Sequence, residues 1–169
     1  MNNNTEISEA PRNVSRGLSE EARELFARGA KNLDAGQDDE ALSCLRQAVE
    51  LAPDHAQLRS LLGVAIARAL RDFEESRALC ESAAKQEFFN PDLYLNLSRI
   101  YLEFGRKSEA LRYLRRGQMI DPGHVLIRRS IAELGRRRMP ILPFLPRRHL
   151  VNRALGTARN LVVSSFIAR

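Results

Sequence analysis

The fold of this chain is decided by the stretch PDLYLNLSRIYLEFGRKSEALRYLRRGQMIDPGH, residues 91–124. The same pattern stands 69 residues earlier in ARELFARGAKNLDAGQDDEALSCLRQAVELAPDH, residues 22–55. A less regular copy, AQLRSLLGVAIARALRDFEESRALCESAAKQEFFN, fills residues 56–90 between them. The three copies are 34, 35 and 34 residues long. A fixed period of this length indicates a protein built from stacked structural repeats.

Glycine and proline stand at matching places in the first and third copies. Gly36 and Gly105 lie in the middle of their copies, and Pro53 and Pro122 lie near the ends. Glycine accepts a positive φ, so it allows a tight turn after a helix. Proline lacks an N–H group and clashes with the preceding helical turn, so it ends the next helix. Each copy is therefore predicted to form two helices of about 14 residues joined by a tight turn.

In these features the chain resembles the tetratricopeptide-repeat (TPR) family. The family's marker positions hold, in the first and third copies, Leu25, Gly29, Gly36, Ala41, Leu45, Ala48 and Pro53, and Tyr94, Leu97, Tyr101, Gly105, Ala110, Leu114 and Pro122. The middle copy departs from the pattern, with Arg59 at the aromatic position and one extra residue near Arg71. The resemblance implies an all-α fold: a right-handed α-solenoid of three helix pairs, with a capping helix and a C-terminal helical extension.

The repeats divide the chain into three parts. Residues 1–18 are predicted to be a disordered N-terminal segment. Residues 19–138 are predicted to be the TPR domain, with repeats 22–55, 56–90 and 91–124 and a capping helix over 124–138. Ser19 is the expected N-cap of the first helix, and the apolar side of the capping helix is predicted to hold Val125, Ile127, Ile131 and Leu134. Residues 139–169 are a proline-broken basic extension with an amphipathic helix at about 147–167.

The charge is distributed unevenly along the chain. The net charge is +6, but residues 1–122 carry 17 Lys/Arg against 20 Asp/Glu. Residues 123–169 carry 10 Arg and a single acid, Glu133. The basic character therefore belongs to the C-terminal part. It bears on what that part binds and not on the partners of the whole molecule.

Several sequence features favour a cytoplasmic location. The N-terminus MNNNTEISEAPRN has no apolar run of the kind found in a signal peptide. No stretch reaches the roughly 18 uninterrupted apolar residues of a membrane span. The two cysteines, Cys44 and Cys80, stand among apolar helical neighbours and are predicted to be buried, reduced thiols.

No motif of an enzyme stands in the sequence. There is no Gly-rich phosphate loop, no closely spaced cysteine pair and no Ser/His/Asp arrangement. His55 and His124 occupy the same repeat position just after the prolines, which is typical of turn residues and not of metal ligands. We therefore expect a non-catalytic protein with no cofactor, metal ion or small-molecule substrate.

The TPR resemblance implies a groove lined by the first helix of each repeat. The family's groove-facing positions predict a partner-binding surface made of Phe26, Ala30, Leu33, Leu61, Val64, Arg68, Leu95, Asn96, Arg99 and Leu102. One TPR subfamily binds the carboxylate terminus of heat-shock chaperones through Lys and Asn at fixed positions. Here those positions hold Phe26, Ala30, Leu61, Asp92 and Asn96, which disfavours that ligand. A mainly apolar groove favours an amphipathic helix or an extended apolar segment of a partner protein, unless its residues only pack helix against helix.

The extension leaves three interpretations open. It resembles the proline-broken, Arg-rich ending of some small bacterial TPR proteins, which implies no function. It could pack on its own repeats or self-associate, dock a protein partner, or touch an anionic membrane surface or nucleic acid. The basic residues that would serve the last interpretation are Arg136, Arg137, Arg138, Arg147, Arg148, Arg153 and Arg159. The leading hypothesis is an adaptor that holds a protein partner in the groove, and the alternative is association with membrane or RNA through this extension.

Overall fold

The computed structural model describes residues 18–135, which form seven α-helices and no strand. The helices are α1 (Glu20–Ala35), α2 (Asp38–Leu51), α3 (Ala56–Ala69), α4 (Phe73–Gln86), α5 (Pro91–Glu103), α6 (Lys107–Ile120) and α7 (Val125–Gly135). The first six pair as α1/α2, α3/α4 and α5/α6, one pair for each predicted repeat. The predicted all-α repeat fold is confirmed. Three predictions concern residues that the structure does not describe. They are the disorder of residues 1–17, the end of the capping helix and the extension over 139–169.

The helices begin and end at residues that the sequence singles out. The Ser19 hydroxyl caps α1 by accepting a hydrogen bond from the Ala22 N–H at 3.2 Å. The chain leaves α1 and α5 through Gly36 and Gly105, whose φ angles are 75° and 72°. Helices α2 and α6 each end two residues before the proline predicted to stop them. Local sequence signals therefore set these ends of α1, α2, α5 and α6.

The middle repeat makes its turn without a glycine. Arg71 occupies the turn with a φ of 58°, a conformation that costs a non-glycine residue roughly 1–2 kcal/mol. Its guanidinium pairs with Glu103 and lies 5.3 Å from the centre of the Phe104 ring, so contacts with the third repeat offset part of that cost. Asp72 then caps α4 by accepting a hydrogen bond from the Glu75 N–H at 3.0 Å. The irregular repeat thus keeps the helix–turn–helix shape.

Small residues let the two helices of a repeat approach closely. A methyl group added at Gly63 of α3 would lie 2.8 Å from the Ser76 carbonyl oxygen of α4 and 3.0 Å from the Cys80 sulfur. In the first repeat a methyl group at Gly29 would meet the Leu45 side chain at 2.6 Å. The third repeat has Ser98 at the same place, fully buried. The glycines therefore serve close packing inside the helix pairs.

Three predictions about single residues are wrong. Leu18, placed in the disordered segment, is buried against α1 in a cluster that includes Leu25. Val125 is 73 % exposed, because it lies on the opposite side of α7 from Ile127, which is fully buried. Cys44 is only half-buried, because it stands at the edge of the apolar stripe of α2.

Within residues 18–135 no helix is long and apolar enough to cross a bilayer.

Candidate functional site

A pocket of about 380 Å³ lies between the first helices of the three repeats. Helix α3 stands between α1 and α5 and packs against both. The pocket lies toward the C-terminal ends of these helices and is lined by Leu33, Asp34, Val64, Ala67, Arg68, Arg99, Ile100, Leu102 and Glu103. We name it the α1–α3–α5 pocket. Its position follows from the repeat, which brings three equivalent helices side by side.

Half of the predicted groove residues line this pocket: Leu33, Val64, Arg68, Arg99 and Leu102. Phe26 and Ala30 are half-buried on α1 and pack against the main core. Leu61 and Asn96 are both 7 % exposed and lie outside the pocket lining. The structure therefore brings five of the predicted residues together at one pocket and places Phe26, Ala30, Leu61 and Asn96 outside its lining.

Leu95 is covered by the capping helix. It is 3 % exposed and belongs to a buried cluster with Leu114 of α6 and Ile127 of α7. A Cβ added at Gly117 would meet the Ile127 side chain at 2.6 Å, so α7 packs closely on the third repeat. The structure therefore places Leu95 in the core and not in the pocket.

Arg68 is engaged in contacts that join the first two repeats. Its Nε lies 3.0 Å from the Asp38 carboxylate at the start of α2. Its Nη1 donates a 2.8 Å hydrogen bond to the Leu33 carbonyl oxygen in the last turn of α1. Carbonyl groups at a helix C-terminus lack partners within their own helix, and a cation there is favourable. The charge of Arg68 is thus used mainly for structure.

Arg99 stands at the end of a chain of buried hydrogen bonds. Its Nη1 donates to the Asn96 Oδ1 at 3.1 Å, and the Asn96 Nδ2 donates to the Ser60 hydroxyl at 3.1 Å. The Cys80 thiol donates to the Ser60 carbonyl oxygen at 3.0 Å. Burial raises the pKa of the Cys80 thiol to about 12, and the hydrogen bond with Ser60 only partly opposes this. Cys80 is therefore a fully buried core thiol, and it belongs to a hydrogen-bond network that also holds Asn96.

The Arg99 guanidinium is poorly solvated and has no anionic partner among residues 18–135. None of the ion pairs in this part of the chain includes Arg99. Burial lowers the pKa of Arg99, the Asp34 and Asp92 carboxylates oppose that shift, and the positive charge of Arg68 adds to it. Arginine nevertheless stays protonated in proteins. The pocket therefore combines aliphatic walls with an incompletely paired cation.

Some features of the site have no clear signal in the sequence. Asp38, the partner of Arg68, belongs to the second helix of the first repeat, which the groove pattern does not include. Ile100 lines the pocket although its side chain is fully buried. The network of Ser60, Cys80 and Asn96 joins three helices, so only the tertiary structure reveals it.

The family model of the tetratricopeptide repeat matches residues 5–134, more than half of the chain. The chain belongs to the tetratricopeptide-repeat family. No match was found among curated protein sequences.

Solved structures of TPR domains share the fold. The first TPR of Spaghetti (RPAP3), bound to the HSP90 peptide SRMEEVD, has a TM-score of 0.54 at 20% identity, covering 69% of this chain and 91% of that one. PcrH in complex with the chaperone binding region of PopB has a TM-score of 0.52 at 21% identity, covering 71% and 97%. The Sgt2 TPR domain from Aspergillus fumigatus has a TM-score of 0.58 at 15% identity, covering 74% and 82%.

Proposed function

We propose that this TPR protein is a non-catalytic adaptor that holds a peptide or helix of a partner protein in the α1–α3–α5 pocket. The observation that carries the proposal is the pocket itself, open between three equivalent helices and walled by aliphatic side chains such as Val64 and Leu102. Sites of this kind suit the apolar side of an amphipathic helix or an extended apolar segment. We also propose a cytoplasmic location, as the sequence predicts.

The charges around the pocket favour a mainly apolar ligand. Two of the four charged residues that line the pocket already have partners: Arg68 is paired with Asp38, and Glu103 is paired with Arg71. Aliphatic side chains supply the remaining contact surface, and their burial by a ligand contributes about 25 cal/mol per Å². The binding energy is therefore expected to come mainly from burial of apolar surface.

Two structural relatives support the proposal, because RPAP3 and PcrH are each seen with a bound segment of another protein. The acidic peptide bound by RPAP3 is not the expected ligand here. The chain offers no lysine at the chaperone-clamp positions, its Asp92 lies 3.0 Å from the His124 ring nitrogen, and Asn96 is hydrogen-bonded to Ser60. The proposed partner is therefore of another class than acidic chaperone tails.

Affinity purification with matched variants tests this function. Leu102→Glu places a charge in the half-buried wall of the pocket, and Met119→Glu places the same charge at a site that is 83 % exposed and outside the pocket lining. We expect Leu102→Glu to lose the bound partner and Met119→Glu to retain it. If both variants retain the same partners as the wild type, the pocket is not the binding site.

A second function is favoured by arginines of α6 together with the basic C-terminal part of the sequence. Arg112, Arg115 and Arg116 are exposed on α6, and the arginines of the extension follow in the sequence. Basic residues in this number suit anionic lipid or RNA, whose binding weakens as salt is raised. We expect the full chain to bind anionic vesicles or RNA at low salt. A full-length variant should lose that binding when the seven arginines predicted for this role are changed to Gln, namely Arg136, Arg137, Arg138, Arg147, Arg148, Arg153 and Arg159. Equal binding by both proteins would remove this function.

A further inference from the structure

Of the two arginines that line the pocket, Arg99 is the one that forms no ion pair within residues 18–135. Its side chain donates to the neutral Asn96 amide at 3.1 Å, which uses one of its several N–H donors. The neighbouring Arg68, by contrast, contacts both Asp38 and a helix carbonyl. An arginine held in a poorly solvated place gains most from a carboxylate that binds through two parallel hydrogen bonds.

The position of Arg99 is fixed before any ligand arrives. Asn96, which accepts its hydrogen bond, is itself held by Ser60 at 3.1 Å, and both Asn96 and Ser60 are buried. A pre-arranged donor loses less conformational entropy on binding than a flexible surface arginine. Arg99 is therefore better suited to recognise a ligand than the exposed arginines of α6 are.

The opposite wall of the pocket limits how much negative charge a ligand can carry. Asp34 of α1 lines the pocket, is exposed, and has no ion pair among residues 18–135. Helices α1, α3 and α5 also end near the pocket, and helix C-termini carry partial negative charge. A single carboxylate at Arg99 is favourable, whereas a run of acidic residues would be repelled.

We propose that the pocket recognises a partner segment in which one acidic side chain binds Arg99 and an adjacent aliphatic side chain fills the space between Leu33, Val64 and Leu102. This inference rests on the proposed adaptor function and names the chemistry of the ligand. The acid is a side chain and not a chain terminus, because half-buried side chains of α1 continue beyond the pocket through Ala30 and Phe26. A segment that covers them passes through the pocket and does not end there.

Fluorescence polarisation with synthetic peptides tests the inference on the full chain. The probes are fluorescein-labelled, C-terminally amidated 12-residue peptides with a central leucine. In each peptide one flanking position is occupied by Asp, Asn, Lys or Ala, and the position is varied from peptide to peptide. A parallel set ends in a free carboxylate. We expect at least one Asp peptide to bind about tenfold or more tightly than its Asn counterpart. In Arg99→Gln this preference disappears, while binding of the Ala peptide is unchanged.

Asp34→Asn is the matched control, because it removes a charge of opposite sign from the same pocket. We expect it to tighten binding of the Asp peptide by about two- to threefold. Arg99→Lys keeps the charge but lacks the two-pronged donor, so it should retain only part of the preference. The circular dichroism spectrum and binding of the Ala peptide show whether each variant is folded.

The outcomes separate this inference from the adaptor function. If the preference for Asp persists in Arg99→Gln, or if peptides bind with no preference for an acid, the assignment of Arg99 is overturned and the apolar pocket remains. If only peptides with a free terminal carboxylate bind, the ligand is a chain end and the side-chain assignment is overturned. If no leucine-centred peptide binds the wild-type protein, the proposed function and this inference both fail.

Discussion

Gly63→Ala is the substitution that most sharply tests the close packing of the second helix pair. Helix propensity alone predicts that alanine stabilises an interior helical position by about 1 kcal/mol relative to glycine. The new methyl group, however, would lie 2.8 Å from the Ser76 carbonyl oxygen, about 0.6 Å short of an ordinary van der Waals contact. That oxygen belongs to the backbone of α4 and cannot rotate away, so the helices must separate. Overpacking of this kind costs about 1–3 kcal/mol.

The net expectation is a loss of up to about 2 kcal/mol in the free energy of unfolding, after the propensity gain is subtracted. For a domain of this size the midpoint of thermal unfolding should fall by up to about 8 °C. Urea unfolding followed by circular dichroism measures the change. Ser98→Ala at the equivalent place in the third repeat keeps the Cβ and serves as the control, with a change below about 1 kcal/mol. A Gly63→Ala protein more stable than the wild type would refute the close approach of α3 and α4.

Two further predictions concern the core. In a Cys44→Ser protein, Cys80 should not react with a thiol reagent at pH 8 until the chain unfolds. Burial raises the pKa of the Cys80 thiol to about 12, and the thiolate is the reactive form. Rapid reaction of the native protein would contradict this expectation. Ile127→Ala should cost about 2–5 kcal/mol, since the side chain is fully buried between α7 and the third repeat. Hydrogen exchange should then accelerate in α7 more than in α1, whereas equal acceleration throughout would show that α7 does not cap the array locally.

The fold could be predicted from the sequence because its determinants are local. The turn at Gly36 and the end of α2 before Pro53 depend on the backbone conformations that glycine and proline allow. The third repeat has the same two residues at the matching positions. The turn at Arg71 was harder. The extra residue marked an irregularity, but the contacts with Glu103 and Phe104 that accompany the left-handed conformation come from the next repeat. The prediction for Val125 is wrong because residues two positions apart lie on opposite sides of an α-helix, and Ile127 is the buried one.

The site could be predicted only in part. Positions in the repeat indicate which side of α1, α3 and α5 would face a groove, and the structure brings three of those predicted residues, Val64, Arg99 and Leu102, together in the pocket. They do not show which of these positions a neighbouring helix covers, as α7 covers Leu95. Nor do they show that the Asn96 side chain is already hydrogen-bonded to Ser60 and Arg99. Exposure and hydrogen-bond partners depend on contacts distant in sequence.

Site-specific photo-crosslinking tests the central claim most directly. A photoreactive amino acid is placed at position 102, in the wall of the pocket, or at the exposed position 119 of α6 as the control. The full chain is then irradiated in the cells that naturally produce it, and crosslinked species are identified by mass spectrometry. We predict that position 102 yields a discrete crosslink to a partner protein and that position 119 does not. Crosslinks to protein from position 119 with none from position 102 would contradict a partner bound in the α1–α3–α5 pocket.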